Sequence, residues 1–246
     1  MAIPEYQFKL SSCTWIAKNV KQFTGEVVSA TNFDFIPGQF ITILFEHEQK
    51  ILRRSYSIAN PPQGHTIEFA ASFVEGGPGS AYLFSRNPGD ELKITGPFGR
   101  LILKPELPQQ RIFFVATSTG ITPYRAMLKD IQSFLSQNPK HQVEFLQGAQ
   151  TKEHLLFGAD FQTFCEQHPG QAQFSVALSR EPNPGPLEFT AYHGYVQDIL
   201  QQKALNPEQD LIYLCGNPKM IDDTTELLKN MNFNIQNIIR EKYISR

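Results

Sequence analysis

The fold of this chain is decided by the stretch ILRRSYSIAN, residues 51–60. Its alternation of apolar and polar residues, with β-branched and aromatic side chains, predicts a β-strand. An ordinary strand would show a simple apolar face, whereas this one carries two adjacent arginines, a tyrosine and two central serines. An exposed edge strand with scattered polar residues is the plainer alternative.

Four consecutive residues of this strand suit a flavin dinucleotide. The guanidinium of Arg54 is a planar fork that matches a pyrophosphate. Tyr56 offers a flat face to an isoalloxazine ring, and a serine offers a short hydrogen bond near its reactive nitrogen. We therefore expect FAD to be bound by Arg54, Ser55, Tyr56 and Ser57.

Composition and length bound the class of protein. The 246 residues suffice for two modest domains, and 41% hydrophobic and 19% charged residues are typical of a soluble globular protein. No apolar run approaches the roughly 18–20 residues of a membrane span, and the N-terminus does not resemble a secretory signal. The formal net charge of −2 gives no support for a nucleic-acid or membrane surface. We expect a cytoplasmic protein.

The cysteines and histidines predict no metal centre. Cys13, Cys165 and Cys215 are widely spaced and odd in number, which argues against a disulfide framework or a zinc site. They are also fewer than the roughly four thiolates that usually hold an iron–sulfur cluster. The six histidines show no metal-ligand or triad spacing.

The two halves of the chain differ in rhythm. Residues 1–105 hold short strands, among them 25–30, 40–45 and 66–73, separated by Pro-Gly and Pro-Pro turns, with one helix near 80–85. This spacing predicts an antiparallel β-barrel of the Greek-key kind.

Residues 106–246 alternate between strand and helix, which predicts an α/β domain with a parallel sheet covered on both faces. The predicted strands are 111–116, 143–146, 173–178 and 211–215, and the predicted helices are 123–137, 160–167, 196–201 and 220–230. The proline-rich segment 104–108 marks the predicted domain boundary.

A loop that follows the first strand of the second half can bind phosphate. It includes Thr117, Thr119 and Gly120, the glycine allowing close approach of a ligand. We expect Thr122 to cap the following helix and Pro123 to fit its first turn, which would make an anion site at the carboxyl end of a parallel strand. A well-capped helix without a ligand is the alternative. The loop is not a G-x-G-x-x-G motif, which disfavours an ordinary Rossmann dehydrogenase.

Two further segments could recognise phosphate. Gly77, Gly79 and Ser80 precede the short helix of the first half, and a plain glycine turn is the alternative. Ser179 and Arg180 follow the third strand of the second half, where a hydroxyl and a charged fork could bind a ribose 2′-phosphate. A solvated loop arginine is the alternative there.

Three motifs in order resemble the ferredoxin–NADP⁺ reductase superfamily. They are the R-x-Y-S run at 54–57, VATSTGITP at 115–123 and YLCGNPKM at 213–220, and the resemblance runs from about residue 8 to the C-terminus. It implies that residues 1–105 bind FAD and residues 106–246 bind NADPH, with NADH as an alternative. It also implies that the loop at Gly77 meets the FAD pyrophosphate from the side opposite Arg54.

The resemblance also implies catalytic residues. Cys215 would lie near the nicotinamide, Gly216 would let the backbone approach it, and Met220 completes the same segment. Glu241 would offer a proton route and Tyr243 would cover the flavin, beside Ser57. Three residues follow Tyr243 here, whereas plant-type reductases end at the aromatic residue.

The activity implied by the resemblance is hydride transfer from NADPH to FAD, followed by release of electrons to a separate ferredoxin or flavodoxin. We expect a monomer. A reductase component of an oxygenase and an NAD(P)H–flavin reductase are alternatives that share every motif above. From another class, a non-catalytic flavin-binding electron-transfer subunit is disfavoured because this chain lacks the cysteine-rich segment such subunits carry near the C-terminus.

Overall fold

The structure is a computed structural model that describes residues 4–30, 32–104, 106–185 and 187–243. The chain divides into two compact units. The first unit holds the chain up to Ile102 together with Thr122–Met127, and the second holds Leu103–Ile121 and the chain from Leu128 onward. The domain boundary predicted at residues 104–108 stays a prediction.

The first unit is a six-stranded antiparallel barrel, which confirms the predicted fold class. Its strands are β1 (Glu5–Ala17), β2 (Val20–Val27), β3 (Phe40–His47), β4 (Lys50–Ser57), β5 (Thr66–Ser72) and β6 (Glu91–Phe98), and helix α1 (Pro78–Phe84) lies between the last two. The strand order is β4-β3-β6-β1-β2-β5. Ile58, the residue after β4, forms an antiparallel β-bridge with Phe69 on β5, the strand at the other end of this order.

Aromatic and aliphatic side chains fill the barrel. Phe8, Phe23 and Phe69 are fully buried, and the rings of the last two stack with centroids 5.1 Å apart. Strand β4 departs from this pattern, because Arg54 and Tyr56 occupy half-buried positions where a core strand would place apolar residues. The barrel therefore contributes polar side chains from this strand without breaking its hydrogen-bonded ladder.

The second unit is a parallel sheet with helices, as predicted, but it has six strands where the sequence predicts four, because Thr190–His193 and Ile238–Lys242 also form strands. Its strands are β7 (Arg111–Thr117), β8 (Gln142–Ala149), β9 (Ala172–Leu178), β10 (Thr190–His193), β11 (Asp210–Gly216) and β12 (Ile238–Lys242), in the order β10-β9-β8-β7-β11-β12. Helix α2 (Thr122–Gln137) belongs to this unit from Leu128 onward, and α3 (Gly158–Gln167), α4 (Val196–Gln202) and α5 (Pro218–Asn230) lie within it. None of the helices in the described part of the chain is long and apolar enough to cross a membrane.

The sheet of the second unit has a switch point between β7 and β11. From β7 the chain moves to β8 on one side, and it returns to the other side of β7 when it reaches β11. Open α/β sheets bind ligands outside the carboxyl ends of the strands at such a point. The loops after Thr117 and after Gly216 leave the sheet there.

The prediction that Thr122 caps α2 is wrong. A 3₁₀ turn, Ser118–Ile121, runs directly into the helix, so the cap position falls on Ile121, whose φ of −73° and ψ of −19° are already helical. Thr122 thus lies inside the first turn with Pro123, and its buried Oγ1 has no hydrogen-bond partner among the described residues. The predicted strand at 25–30 is also displaced, since β2 ends at Val27.

Candidate functional site

The Arg54 side chain packs against the first turn of α1, which begins at Pro78 and so includes Gly79 and Ser80, two residues predicted to precede the helix. A Cβ atom on Gly79 would lie 2.8 Å from Arg54 Cγ and 3.2 Å from its Nε, so the glycine leaves the space that the arginine fills. Arg54 Nη1 donates to the Arg53 carbonyl at 2.8 Å. The structure thus brings together two of the segments that the sequence singles out for the FAD pyrophosphate.

The side chain of Ser80, in the first turn of α1, holds the loop from Val74 to Gly77 that precedes the helix. Its hydroxyl donates to the Val74 carbonyl at 2.7 Å and accepts from the Val74 N–H at 3.1 Å, and it also lies 3.0 Å from the Gly77 carbonyl. The side chain is therefore used within the loop. The first N–H groups of a helix have no intrahelical partner, so the start of α1 can offer backbone donors to a phosphate.

The remaining residues of the R-x-Y-S motif alternate across β4. Arg54 and Tyr56 share one face of the strand, and Ser55 and Ser57 share the other. Ser55 Oγ lies 3.0 Å from Thr42 Oγ1 on the neighbouring strand. Burial raises the pKa of Tyr56 to about 12, against the opposing charge of Arg54, so its hydroxyl is neutral. Ser57 is only 4% exposed.

In the second unit the loops after β7 and β11 pack backbone against backbone. A Cβ atom on Gly120 would lie 2.3 Å from the Cys215 carbonyl oxygen, and one on Gly216 would lie 2.6 Å from the Thr117 carbonyl oxygen. Gly216 also has a φ of +126°, which favours glycine. The Asn217 N–H donates to Thr117 Oγ1 at 3.1 Å. Positions 120 and 216 therefore have room for glycine but not for a residue with a Cβ atom.

Cys215, Glu241 and Tyr243 meet beside these loops. Cys215 and Glu241 are register partners on β11 and β12, and the Tyr243 N–H donates to the Gly216 carbonyl at 2.9 Å. The Tyr243 hydroxyl donates to the Thr119 carbonyl at 3.3 Å. Three of the residues proposed as catalytic thus come together, and they lie next to the candidate nucleotide loop.

Burial sets the protonation of this group. It raises the pKa of the fully buried Cys215 thiol well above its usual value, and the nearby Glu241 adds to the rise, while a hydrogen bond from Tyr243 opposes it. The thiol is therefore neutral and is not a nucleophile. Burial also raises the pKa of the Glu241 carboxyl to about 7, which suits proton exchange at neutral pH.

Ser179 and Arg180 lie at the carboxyl end of β9, as the sequence predicts. The Ser179 N–H donates to the Ala149 carbonyl at 3.0 Å, and the Arg180 N–H donates to the Gln150 carbonyl at 2.9 Å. Arg180 is exposed, and its guanidinium has no hydrogen bond or ion pair with any residue that the structure describes. The backbone at this position is fixed while the charge is available to a ligand.

Two residues of this segment differ from the sequence analysis: Asn217, whose role as a helix cap was not predicted, and Met220, which was predicted to bind the cofactor. Asn217 caps α5, accepting from the Lys219 N–H at 2.8 Å and the Met220 N–H at 3.4 Å. An asparagine followed by proline at a helix start is a recognisable cap signal. Met220 is 6% exposed and packs in the hydrophobic core of the second unit, so its side chain supports the site from behind. In the described residues no group of three or more His, Cys, Asp or Glu side chains is placed to hold a metal ion.

Comparison with known proteins divides the chain in the same way. Residues 7–102 match the family model of the oxidoreductase FAD-binding domain, and residues 114–226 match that of the oxidoreductase NAD-binding domain. The chain is 26% identical over 215 residues to a ferredoxin–NADP reductase of Azotobacter vinelandii, covering 82% of this chain and 81% of that protein. It is 26% identical over 231 residues to ferredoxin–NADP reductase B of Sorangium cellulosum, covering 91% of both.

A solved structure shows the same fold. A ferredoxin NADP⁺ reductase from Neisseria gonorrhoeae, determined with bound FAD and NADP, superposes with a TM-score of 0.82 at 20% identity. The superposition covers 98% of this chain and 99% of that one.

Proposed function

Because the chain belongs to the ferredoxin–NADP⁺ reductase superfamily, we propose that it oxidises NADPH and reduces a small one-electron carrier protein, a ferredoxin or a flavodoxin. The family makes it an oxidoreductase with FAD and a nicotinamide nucleotide as cofactors. The choice of NADPH and the identity of the acceptor are the parts that we propose.

The residues present fit these cofactors. At Gly79 a Cβ atom would enter the space of the Arg54 side chain, and the start of α1 adds backbone donors, which together suit a diphosphate. In the second unit Gly120 and Gly216 let the loops after β7 and β11 pack against each other at the carboxyl ends of these strands, where nucleotides bind in sheets of this kind.

The observation that carries the proposal is the meeting of Cys215, Glu241 and Tyr243 beside the loop at Thr119. FAD, when bound, supplies a redox centre that accepts hydride and gives up electrons singly. The chain supplies three groups: the neutral thiol of Cys215, the carboxyl of Glu241, which exchanges protons near pH 7, and the ring of Tyr243. Tyr243 is held by hydrogen bonds from its backbone N–H and from its hydroxyl. Ser57 is the proposed hydrogen-bond partner near the reactive nitrogen of the flavin.

The preference for NADPH rests on Arg180. It is an exposed cation, without a partner in the described chain, at the carboxyl end of β9, and Ser179 precedes it. A guanidinium binds a phosphate through two parallel N–H groups, which a 2′-hydroxyl cannot match.

The acceptor is argued from the relatives. Two ferredoxin–NADP reductases align with this chain over four-fifths or more of its length. The proposal is tested by reducing the purified yellow protein anaerobically with NADPH or NADH in a stopped-flow instrument, and then mixing it with ferredoxin, flavodoxin or free FMN. Faster oxidation by either carrier protein than by FMN is expected. Preferential reduction of free FMN would make the chain a flavin reductase, and no reduction by either nucleotide would make it a non-catalytic flavin subunit.

A further inference from the structure

Three adjacent strands of the second unit end at one edge of the sheet. β8, β9 and β10 are neighbours and run parallel, so the residues after Ala149, Leu178 and His193 emerge side by side. The proposed 2′-phosphate residues Ser179 and Arg180 lie in the middle one of these three exits. The position of Ser179 and Arg180 therefore depends on the contacts between the segments that follow β8, β9 and β10.

Glu181 bonds to the exits on both sides. Its Oε2 accepts the backbone N–H of Lys152, beyond the end of β8, at 2.7 Å. Its backbone carbonyl lies 3.1 Å from Nδ1 of His193, the last residue of β10, which can donate to it. One residue thus ties the loop after β9 to both of its neighbours, through the side chain on one side and the main chain on the other.

Because the Glu181 carboxylate accepts a backbone N–H, the side chains of Arg180 and Lys152 are available to a ligand. A carboxylate beside Arg180 and Lys152 would be expected to pair with one of them, and such a pair would compete with a phosphate. Here the carboxylate accepts a backbone N–H instead, and neither side-chain cation has a hydrogen bond or ion pair with any residue in the described ranges. Lys152 Nζ lies near the loop at Gly185, since a Cβ atom built on Gly185 would be 3.7 Å from it.

We propose that Glu181 is a positioning residue for nucleotide recognition: it ties the loop after β9 to the loop after β8, so that Arg180 and Lys152 can bind the ribose 2′-phosphate of NADPH. This inference rests on the proposed function. It has two consequences of opposite sign. The tie favours binding of the 2′-phosphate, whereas the negative charge of Glu181 opposes it by Coulomb repulsion.

Two substitutions separate these effects. Glu181→Gln keeps an oxygen that can accept the Lys152 N–H but removes the charge, whereas Glu181→Ala removes both. Glu226→Ala, on the exposed face of α5, is the matched control for loss of one acidic residue. The readouts are kcat and KM for NADPH and for NADH with ferricyanide as acceptor, and the Kd of 2′-phospho-AMP for the FAD-loaded protein by calorimetry.

We expect Glu181→Ala to raise the KM for NADPH and the Kd of 2′-phospho-AMP about tenfold, the scale of one charge-assisted hydrogen bond, with kcat nearly unchanged. Glu181→Gln should restore both values to those of the unmutated protein or below. KM and Kd values that are unchanged in both Glu181→Ala and Glu181→Gln would overturn the proposal. So would equal losses in the Gln and Ala variants, because the hydrogen bond would then not be what matters.

Failure of the proposed function gives a different pattern. Equal catalytic efficiency of the unmutated protein with NADPH and NADH, together with no binding of 2′-phospho-AMP, would remove the 2′-phosphate site itself. A protein that prefers NADPH but keeps its KM and Kd in both the Ala and the Gln variant would retain the proposed function and lose only the role of Glu181. Far-UV circular dichroism of each variant shows whether it is folded.

Discussion

The carboxyl of Glu241 shows how one residue acquires its chemistry from its place in the fold. It stands on β12 opposite Cys215, and burial raises its pKa to about 7 from an ordinary value of 4.5. A group whose pKa is higher in the folded state favours folding while it is protonated. That contribution is complete below pH 4.5 and is lost as the pH rises through about 7.

We therefore expect Glu241→Gln to stabilise the protein at alkaline pH. The amide is never charged, so the difference in free energy of unfolding between variant and unmutated protein should grow from pH 5 to pH 8.5. Because the side chain is only half-buried, about 1 kcal/mol is a reasonable size for the full change. Urea unfolding at several pH values measures it. A difference that is constant with pH would mean that Glu241 titrates normally.

At Arg180 the prediction concerns discrimination between nucleotides. Arg180→Ala should raise the KM for NADPH by roughly 10- to 100-fold, because one charge-assisted pair contributes about 1.5–3 kcal/mol and solvent screens the exposed site. The KM for NADH should stay almost the same. Steady-state kinetics at low and high salt test this, since added salt should erode the preference of the unmutated protein. Equal losses for both nucleotides would place Arg180 at the shared diphosphate.

Among the elements, the first turn of α1 permits a sharp test of the proposed FAD site at Arg54. Gly79 has a helical position at which alanine is otherwise favoured, but its Cβ would lie 2.8 Å from Arg54 Cγ. Gly79→Ala should therefore displace the Arg54 side chain and weaken FAD binding about tenfold. Flavin fluorescence during titration of the apoprotein measures the affinity.

The matched control for this substitution is Gly76→Ala, three residues earlier, in the loop that precedes α1. Nothing lies within 4 Å of its Cβ position, and its φ of +69° should cost about 1 kcal/mol of stability without touching Arg54. FAD affinity should therefore be unchanged. If both variants lose FAD equally, the loop conformation matters and the contact with Arg54 does not.

The elements also show which parts of the fold and the site could be predicted. Long runs with a clear period are predicted correctly, such as α2 and the strands β7, β8, β9 and β11, whereas the short strands β10 and β12 are not predicted. The turn between β3 and β4 is hard to predict from the sequence, because its two left-handed positions, with φ values of +49° and +62°, are occupied by Glu48 and Gln49 and not by glycine. The cap of α2 was mispredicted because a 3₁₀ turn precedes the helix.

The missed strand β12 limited the prediction of the site. Its sequence, IIREK, is short and places both apolar residues first, so it lacks the apolar–polar alternation that predicts a strand. Family resemblance named Cys215 and Glu241, but only the register of β11 with β12 makes them neighbours. Hydrogen bonds between distant segments, such as the one from Lys152 to Glu181, leave no trace in local sequence.

Among the described residues, the barrel and the parallel sheet each have a hydrophobic core. One fills the barrel around Phe23 and Phe69, and another lies in the parallel sheet around Val115 and Leu214. Compact units with their own cores can unfold independently, which would make a single free energy of unfolding ill-defined. The chain offers a probe for each unit. Its single tryptophan, Trp15, lies on β1 in the first unit, whereas α3, α4 and α5 lie in the second.

We expect FAD to stabilise the two units unequally. A ligand at about 100 times its Kd stabilises the state that binds it by about 2.7 kcal/mol. Saturating FAD should therefore move the unfolding transition followed by Trp15 fluorescence to higher urea, and move the transition followed by helical circular dichroism less. Addition of 2′-phospho-AMP should do the reverse, and Trp15→Phe should abolish the first signal only. If both probes shift together with either ligand, the two units unfold as one, and ligand binding in either would stabilise the entire chain.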